Sequence, residues 1–311
     1  MFTTLETTNF DALDAANQGW EVRHKPLCTR QFRGHLSIGN IGGLQIDMER
    51  WNTGLQLTGA SPNQSVGISL LLPRNESDSY LSGGLGVTPE AIDIFGDHME
   101  IDALVQPGSS LIACSISNEA LESRNSDPAA TLLAELTANH NVASSTREST
   151  DELRQWLGAL LNLLAREEIA ENTHDLLIDE TLLVIARALG SGAALQSKHF
   201  RQRYRLARRA HDYMLERQSS PPSIAEVCGV FQVSERSLHY AFKKVYGVSP
   251  KQLLKAHRLF AVHSTLKAAT PEDQVMDIAR RYGFWERGYF ARDYQRMFGE
   301  LPSDTRKRVR G

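Results

Sequence analysis

The chain has 311 residues, 41% hydrophobic and 23% charged, with a formal net charge of −3. That length suits two or three domains with real hydrophobic cores, and disorder is not needed to explain the composition. No apolar stretch approaches the roughly 20 residues of a membrane helix, and the first 20 residues lack the basic start and apolar run of a signal peptide, so no membrane partner and a cytoplasmic location are expected.

From about Phe32 to Ser117, short apolar runs alternate with Gly, Pro and Asn: F-R-G-H-L-S-I, G-L-Q-I-D-M-E-R-W, V-G-I-S-L-L-L-P, A-I-D-I-F, M-E-I-D-A-L-V and S-L-I-A-C-S-I-S. Closely spaced strands with turn signals predict a small sheet or barrel. Gly39-Asn40-Ile41-Gly42-Gly43 reads as a hairpin loop. Gly83-Gly84-Leu85-Gly86 lacks the Lys-Ser/Thr ending of a phosphate loop, and turn glycine is the better reading. After Asp127-Pro128 the pattern becomes helical. Leu153, Trp156, Leu157, Leu160, Leu161 and Leu164 recur at three- and four-residue spacing, a stripe that demands a partner, either the N-terminal barrel or a second subunit. A further helical stretch, His174 to Leu189, leads into the small-residue linker Gly190-Ser191-Gly192-Ala193-Ala194, where a domain boundary is placed.

Between Ser223 and Pro302 one helix-turn-helix pattern is written twice. Leu238 falls on Phe290, Phe242 on Tyr294, Gly247 on Gly299 and Pro250 on Pro302, while Cys228 falls on Ala279, so the second turn is the longer. Ser223 with Glu226 forms a capping box, Ser249-Pro250 supplies an N-cap with proline at N1, and Thr270-Pro271 repeats that start. Gly247 and Gly299 end the two second helices. Residues 198–311 hold 23 Lys and Arg against 11 Asp and Glu, a net +12, whereas residues 1–197 carry −15. A basic C-terminal module suits double-stranded DNA, because Lys and Arg displace counterions from phosphates.

On the first of these second helices, Leu238, Ala241, Phe242 and Val245 form the buried stripe. Arg236, His239, Tyr240 and Lys243 are left outward. On the second, Phe290, Tyr294 and Phe298 pack inward, with Arg287, Gly288, Tyr289, Arg292 and Gln295 or Arg296 outward. A recognition helix reads bases with its N-terminal half, where Arg can bond guanine in a bidentate way, so Arg236, Arg287 and Arg292 are the first base-reading candidates. Lys243, Lys244, Arg296 and the tail residues Arg306, Lys307 and Arg308 lie later and are expected on phosphates. Glu235 and Glu286 near the helix starts suit the helix dipole. The helix from Pro250 to about Ala269 would hold the two readers apart for successive major grooves, about 34 Å apart.

With these residues in view, the segment from about Arg205 to Arg308 resembles the AraC/XylS family of bacterial transcription regulators. The resemblance rests on V-S-E-R-S-L-H-Y-A-F-K-K-V-Y-G-V-S-P, L-L-K-A-H-R-L-F-A-V and D-I-A-R-R-Y-G-F-W-E-R-G-Y-F-A-R-D-Y-Q-R-M-F-G-E-L-P-S. It implies an α+β protein: a cupin-like effector-sensing β-barrel over 1–125, a helical dimerisation or coupling segment over 126–190, a linker over 191–200, and an all-α double helix-turn-helix domain over 201–311. It also implies a homodimer that activates transcription with RNA polymerase. The family's base-contacting positions fall on Arg236, His239 and Tyr240, and on Arg287, Gly288, Tyr289 and Arg292. Gly288 has no side chain to read a base. The wording of both motifs is most similar to ethanolamine- and amine-responsive activators, which makes a small amine the suggested effector.

An enzyme is disfavoured. His24, His35 and His98 form no H-x-H pair, so no metal or cofactor is expected. The widely separated Cys28, Cys114 and Cys228 form no C-x-x-C and read as small buried residues, with Cys228 in the helix contact of the first motif. That also argues against a zinc-dependent DNA-repair methyl acceptor. Phe32, His35, Trp51 and Phe95 are the available liners of an effector pocket. The competing reading is an effector-independent, dimeric DNA-binding regulator.

Overall fold

The computed structural model describes residues 1–17, 19–76, 78–124, 127–136, 141–166, 169–190, 198–217, 222–270 and 273–308. The chain divides into two compact units. The first comprises Met1–His24, Gly34–Asn52 and Leu57–Gln196, and the second Lys25–Arg33, Thr53–Gln56 and Ser197–Gly311. Most of the expected linker, 191–197, lies outside the described residues.

The strands are β1 (Phe2–Thr7), β2 (Glu21–Pro26), β3 (Gly34–Ile41), β4 (Leu44–Trp51), β5 (Leu55–Ala60), β6 (Ser65–Leu71), β7 (Tyr80–Ser82), β8 (Leu85–Val87), β9 (Ala91–Phe95), β10 (Glu100–Val105), β11 (Ser110–Ser117) and β12 (Asn141–Ser144). They form two open sheets, in the orders β1-β3-β4-β11-β6-β9-β12 and β2-β5-β10-β7-β8, rather than one closed barrel. The expected hairpin joins β3 to β4, with Gly42 and Gly43 at φ 52° and 87°, a left-handed pair that only glycine adopts without strain. Gly83 and Gly84 turn β7 into β8 in the same way.

Period-two alternation divides the side chains of the larger sheet between two environments. Leu44 and Ile46 of β4, Ile92 and Ile94 of β9, and Ile112, Cys114 and Ile116 of β11 enter the main hydrophobic core. Their neighbours Asp47, Glu49, Trp51, Asp93, Phe95, Leu111 and Ala113 line an internal cavity instead. The core is closed by α4 (Arg147–Leu164) and α5 (His174–Gly190), which follow α1 (Phe10–Ala16), α2 (Asn118–Glu122) and α3 (Pro128–Leu136). Leu153, Leu157, Leu160, Leu161 and Leu164 are all buried against this sheet, so the leucine stripe packs internally and offers no dimer face. At Gly39 of β3 an added Cβ would lie 2.8 Å from Leu164 Cδ1, which shows how closely α4 approaches the strand. Trp156 of the stripe is half-buried and donates its indole N–H to Thr181 Oγ1 at 2.9 Å. The buried Arg154 donates to the carbonyl of Leu71 at 2.7 Å and to Asp151 at 2.6 Å.

The second unit holds α6 (Lys198–Glu216), α7 (Ile224–Phe231), α8 (Glu235–Tyr246), α9 (Pro250–Lys267), α10 (Val275–Arg281), α11 (Arg287–Phe298) and α12 (Pro302–Arg308). Ser223 and Glu226 form the expected capping box on α7, and Ser249 forms one with Gln252 at the start of α9. The third expected start is corrected. Helix α10 begins at Val275 behind Gln274, with no side-chain cap, and Thr270 instead bonds Asp273 at 3.0 Å; Pro271 lies outside the described residues. Of the three cysteines expected to be buried, only Cys114 is; Cys28 and Cys228 are partly exposed.

Candidate nucleic-acid interface

Each helix-turn-helix unit is built on an apolar stripe that fixes which side chains remain outside. In the first, Ile224 and Val227 of α7 are buried, as are Leu238, Ala241, Phe242, Val245 and Tyr246 of α8. The turn carries Gln232 at φ 52°, a left-handed backbone on a non-glycine residue. Ser234 caps α8 by accepting from Ser237 N, and Gly247 closes it at φ 70°. Arg236, Tyr240, Lys243 and Lys244 are exposed, one turn apart along one face. His239 is half-exposed, with Nε2 3.8 Å from Glu235 on the same helix. Lys243 also reaches forward to donate to the Gly247 carbonyl at 3.4 Å, so part of its role is to cap its own helix.

The second unit reproduces the plan with a longer turn, running from Tyr282 to Glu286 against Gln232 to Ser234. Gly283 takes the left-handed backbone at φ 79°. Phe290 and Tyr294 are buried as expected, Phe298 is only partly buried, and Asp293 and Met297 complete the inner face. Phe290, Tyr294 and Met297 join Leu259, Val262 and Leu266 of α9 and Ile278 and Ala279 of α10 in one cluster. Arg287, Gly288, Tyr289, Arg292, Gln295 and Arg296 are exposed. The Arg292 guanidinium lies 4.9 Å from the centroid of the Tyr289 ring, a cation–π contact that orients the arginine before any partner arrives.

A polar chain ties α11 to its neighbours. Tyr294 Oη lies 2.7 Å from His263 Nδ1 of α9 and 2.7 Å from Thr305 Oγ1 of α12, and Thr305 donates to Glu300 at 2.6 Å. His263 also stacks on Phe298, with centroids 4.2 Å apart. The first unit has a counterpart at its base, where the buried imidazoles of His211 and His257 meet at 3.2 Å. Burial holds His257 at a pKa of about 3 and lowers His211 well below its ordinary value, so both are neutral packing groups.

The tail residues are less uniform than expected. Lys307 is exposed, Arg306 is half-buried along a groove of about 650 Å3 that Arg287 also lines, and the Arg308 side chain lies outside the described residues. Three features escaped the sequence reading: Trp285, 73% exposed in the second turn; the left-handed Gln232; and the buried Asp293. Trp285 left no distinct signal, since Tyr282 and Phe284 of the same turn pack against the hydrophobic cluster while Trp285 does not. Of the expected effector liners, Trp51 and Phe95 line the internal cavity of the first unit, together with carboxylates the sequence reading passed over. His35 and Phe32 do not. His35 bonds Ser37 Oγ at 3.0 Å, and Phe32 is buried in the 25–33 segment grouped with the second unit.

Two helix pairs, each exposing basic and aromatic residues along the second helix, define a helix-turn-helix nucleic-acid-binding domain. The family model for a helix-turn-helix domain matches residues 227–308. The chain is 30% identical over 173 residues to the probable thc operon regulatory protein of Rhodococcus erythropolis, covering 50% of this chain and 49% of that protein. It is 36% identical over 95 residues to the XylDLEGF operon transcriptional activator 1 of Pseudomonas putida, covering 30% and 28%. Among solved structures, a probable AraC family transcriptional regulator from Rhodopseudomonas palustris is 34% identical and covers 34% of this chain and 99% of that one, with a TM-score of 0.32. The C-terminal domain of this chain belongs to the AraC family of helix-turn-helix domains. The matched stretches span about half or less of the first curated relatives.

Proposed function

We propose that the protein is a sequence-specific DNA-binding transcription regulator, an activator responsive to a small metabolite, whose α8 and α11 enter successive major grooves of one duplex. The observation that carries this reading is the pairing of two helix-turn-helix units in one domain, each with an exposed basic and aromatic face. Base reading is assigned to Arg236, His239 and Tyr240 and to Arg287, Tyr289 and Arg292. Phosphate contact is assigned to Lys243, Lys244, Arg296, Arg306, Lys307 and Arg308. The relatives matched are operon regulators and activators rather than enzymes, which supports activation and, with it, RNA polymerase as a partner. The two-sheet first unit is read as a cupin-like sensing domain for a small effector of the amine class. A homodimer is supported by Leu163, Leu176 and Leu183, which stand exposed on α4 and α5.

The test is selection of genomic fragments by the full-length protein at physiological salt, with and without a metabolite mixture, followed by sequencing. Enriched sites holding two contacted segments about one helical turn apart support the reading. Uniform recovery of all fragments would sink it, and enrichment indifferent to metabolites would leave an effector-independent regulator.

A further inference from the structure

Among the described residues, the aromatic side chains left exposed are Tyr240, Trp285 and Tyr289, at 48%, 73% and 59%. Tyr240 lies on α8, Tyr289 on α11 and Trp285 at the head of α11, so exposed aromatic surface is confined to the two helices assigned to DNA reading. Single apolar residues scattered over a surface are ordinary, but this grouping is not scattered. Trp285 is the most exposed of the three, and it stays outside the apolar cluster that its neighbours Tyr282 and Phe284 join.

The turn that carries Trp285 is fixed. Phe284 packs on Phe290 with ring centroids 5.2 Å apart and donates its N–H to the Ala279 carbonyl at 3.1 Å. The Tyr282 hydroxyl lies 2.8 Å from Thr265 Oγ1 of α9, and Gly283 supplies the left-handed backbone between them. Trp285 then stands one residue before the N-cap Glu286, where an apolar side chain ordinarily staples onto the fourth residue of the helix, here Phe290. Phe284 has taken that place, and Trp285 is left in solvent on a held backbone.

The first unit shows what the turn forgoes. At the constant offset of the repeat, Trp285 and Glu286 correspond to Val233 and Ser234. Val233 is half-buried and Ser234 caps α8 by accepting from Ser237 N, whereas Glu286 makes no side-chain cap bond. Both differences weaken the local fold, because a cap hydrogen bond is missing and a large apolar ring remains in water. Packing does not account for Trp285, and a partner does.

The surroundings select the partner. The exposed side chains that follow on α11 are Arg287, Tyr289, Arg292, Gln295 and Arg296, and the acid beside Trp285, Glu286, sits at the positive end of the helix dipole. That balance suits a polyanion. In the major groove the base edges present hydrogen-bonding groups and one apolar group, the C5-methyl of thymine. An indole has a single N–H donor, no acceptor and an otherwise apolar surface, so the methyl is the base feature it matches.

We propose that Trp285 is a thymine-reading residue: its indole covers the C5-methyl of one thymine beside the bases met by α11, and so favours thymine over cytosine at that position. The inference rests on the reading of α11 as a recognition helix and extends its readout to a residue outside the helix.

The test uses the full-length protein and short duplexes recovered by the genomic selection. Each thymine of the site is replaced in turn by uracil, which removes the methyl and keeps every hydrogen-bonding group. At one position the replacement is expected to weaken binding by the native chain about three- to tenfold. Trp285→Ala is expected to bind the thymine and uracil duplexes alike, both more weakly than the native chain binds thymine, with an unchanged Tm because the side chain is exposed. Trp285→Phe, which keeps an apolar ring and removes the N–H, is expected to retain the thymine preference. A methyl effect that is absent, or that persists in Trp285→Ala, would overturn the proposal, as would a lower Tm in that variant or loss of the preference in Trp285→Phe. Normal DNA binding by Trp285→Ala with lost transcription activation would assign the ring to a protein partner and overturn it equally. Recovery of no enriched sites would remove the regulator reading and this inference with it, whereas enriched sites without a Trp285-dependent thymine would remove this inference alone.

Discussion

Lys255 Nζ of α9 lies 2.5 Å from Asp293 Oδ2 of α11, joining the connecting helix to the second recognition helix through a carboxylate that is only 7% exposed. Lys255 itself is 43% exposed, so solvent screens part of the attraction. The larger consequence comes from its removal, which would leave Asp293 unpaired inside the helical packing. Lys255→Met is expected to lower the stability of the C-terminal domain by about 1–3 kcal/mol, seen as a fall in Tm, with a smaller loss for Asp293→Asn. An unchanged Tm in Lys255→Met would show the pair to be incidental.

Arg292 tests the proposed separation of base reading from general attraction. It rests on Tyr289, and under the proposed base-reading role Arg292→Ala is expected to cost about 1–3 kcal/mol on the selected site and to relax preference at one base pair. Competition binding against a panel of single-base variants measures this. Uniform weakening across the panel would assign Arg292 to the phosphates instead.

Lys244 makes the opposite case. It is exposed late on α8, past the half proposed to face bases, with its ammonium 6.0 Å from the Tyr240 ring. Lys244→Ala is expected to weaken all sequences alike and to reduce the slope of log affinity against log salt by about one contact, roughly 0.9. A sequence-dependent effect in a salt titration on two unrelated duplexes would contradict that.

His24 makes stability depend on pH in a known direction. Burial opposes its charge, but the hydrogen bonds and negative charges of Asp14 and Glu49 prevail and raise its pKa from 6.5 to about 9. A histidine with a raised folded-state pKa contributes stability that is fully present below pH 6.5 and is lost as pH rises through 9. Asp47, raised from 3.8 to about 7, loses its contribution in the lower window instead, between those two values. Thermal unfolding followed from pH 6.5 to 9.5 is therefore expected to show a declining Tm in the native chain and a flatter profile, starting lower, in His24→Asn. Parallel profiles would refute this assignment.

The C-terminal domain was largely legible because its signals are local. Capping Ser, closing Gly and three- to four-residue apolar spacing each act within one helix, and Leu238, Phe242, Phe290 and Tyr294 are buried where the pattern put them. The failure at Thr270 follows from the same locality: its hydroxyl found Asp273, a turn partner as good as a helix start. The first unit was less legible because its strands are joined by long-range pairing. Short strands such as β7 and β8 carry too few residues to show a period, and β12 pairs with β9 across the intervening helices. The cavity did leave a trace, since Asp47 and Glu49 alternate with Ile46 and Met48, and Asp93 stands between Ile92 and Ile94. An alternation of acid with aliphatic residues reads equally as a strand with one wet face. Only the second sheet shows that the acidic face is enclosed.

In the proposed mode of binding, the 18 residues of α9 also determine how affinity is shared between the two readers. At about 1.5 Å per residue the helix is roughly 27 Å long, and both helix-turn-helix units pack upon it. The orientational entropy of presenting the second reader is therefore spent in folding, and once one groove is occupied the other is met at high effective concentration. Such a chelate is intolerant of spacing. Inserting half a helical turn of DNA between the two contacted segments carries the second groove to the far side of the duplex, beyond the reach of a stiff arm, and leaves the affinity of one reader alone.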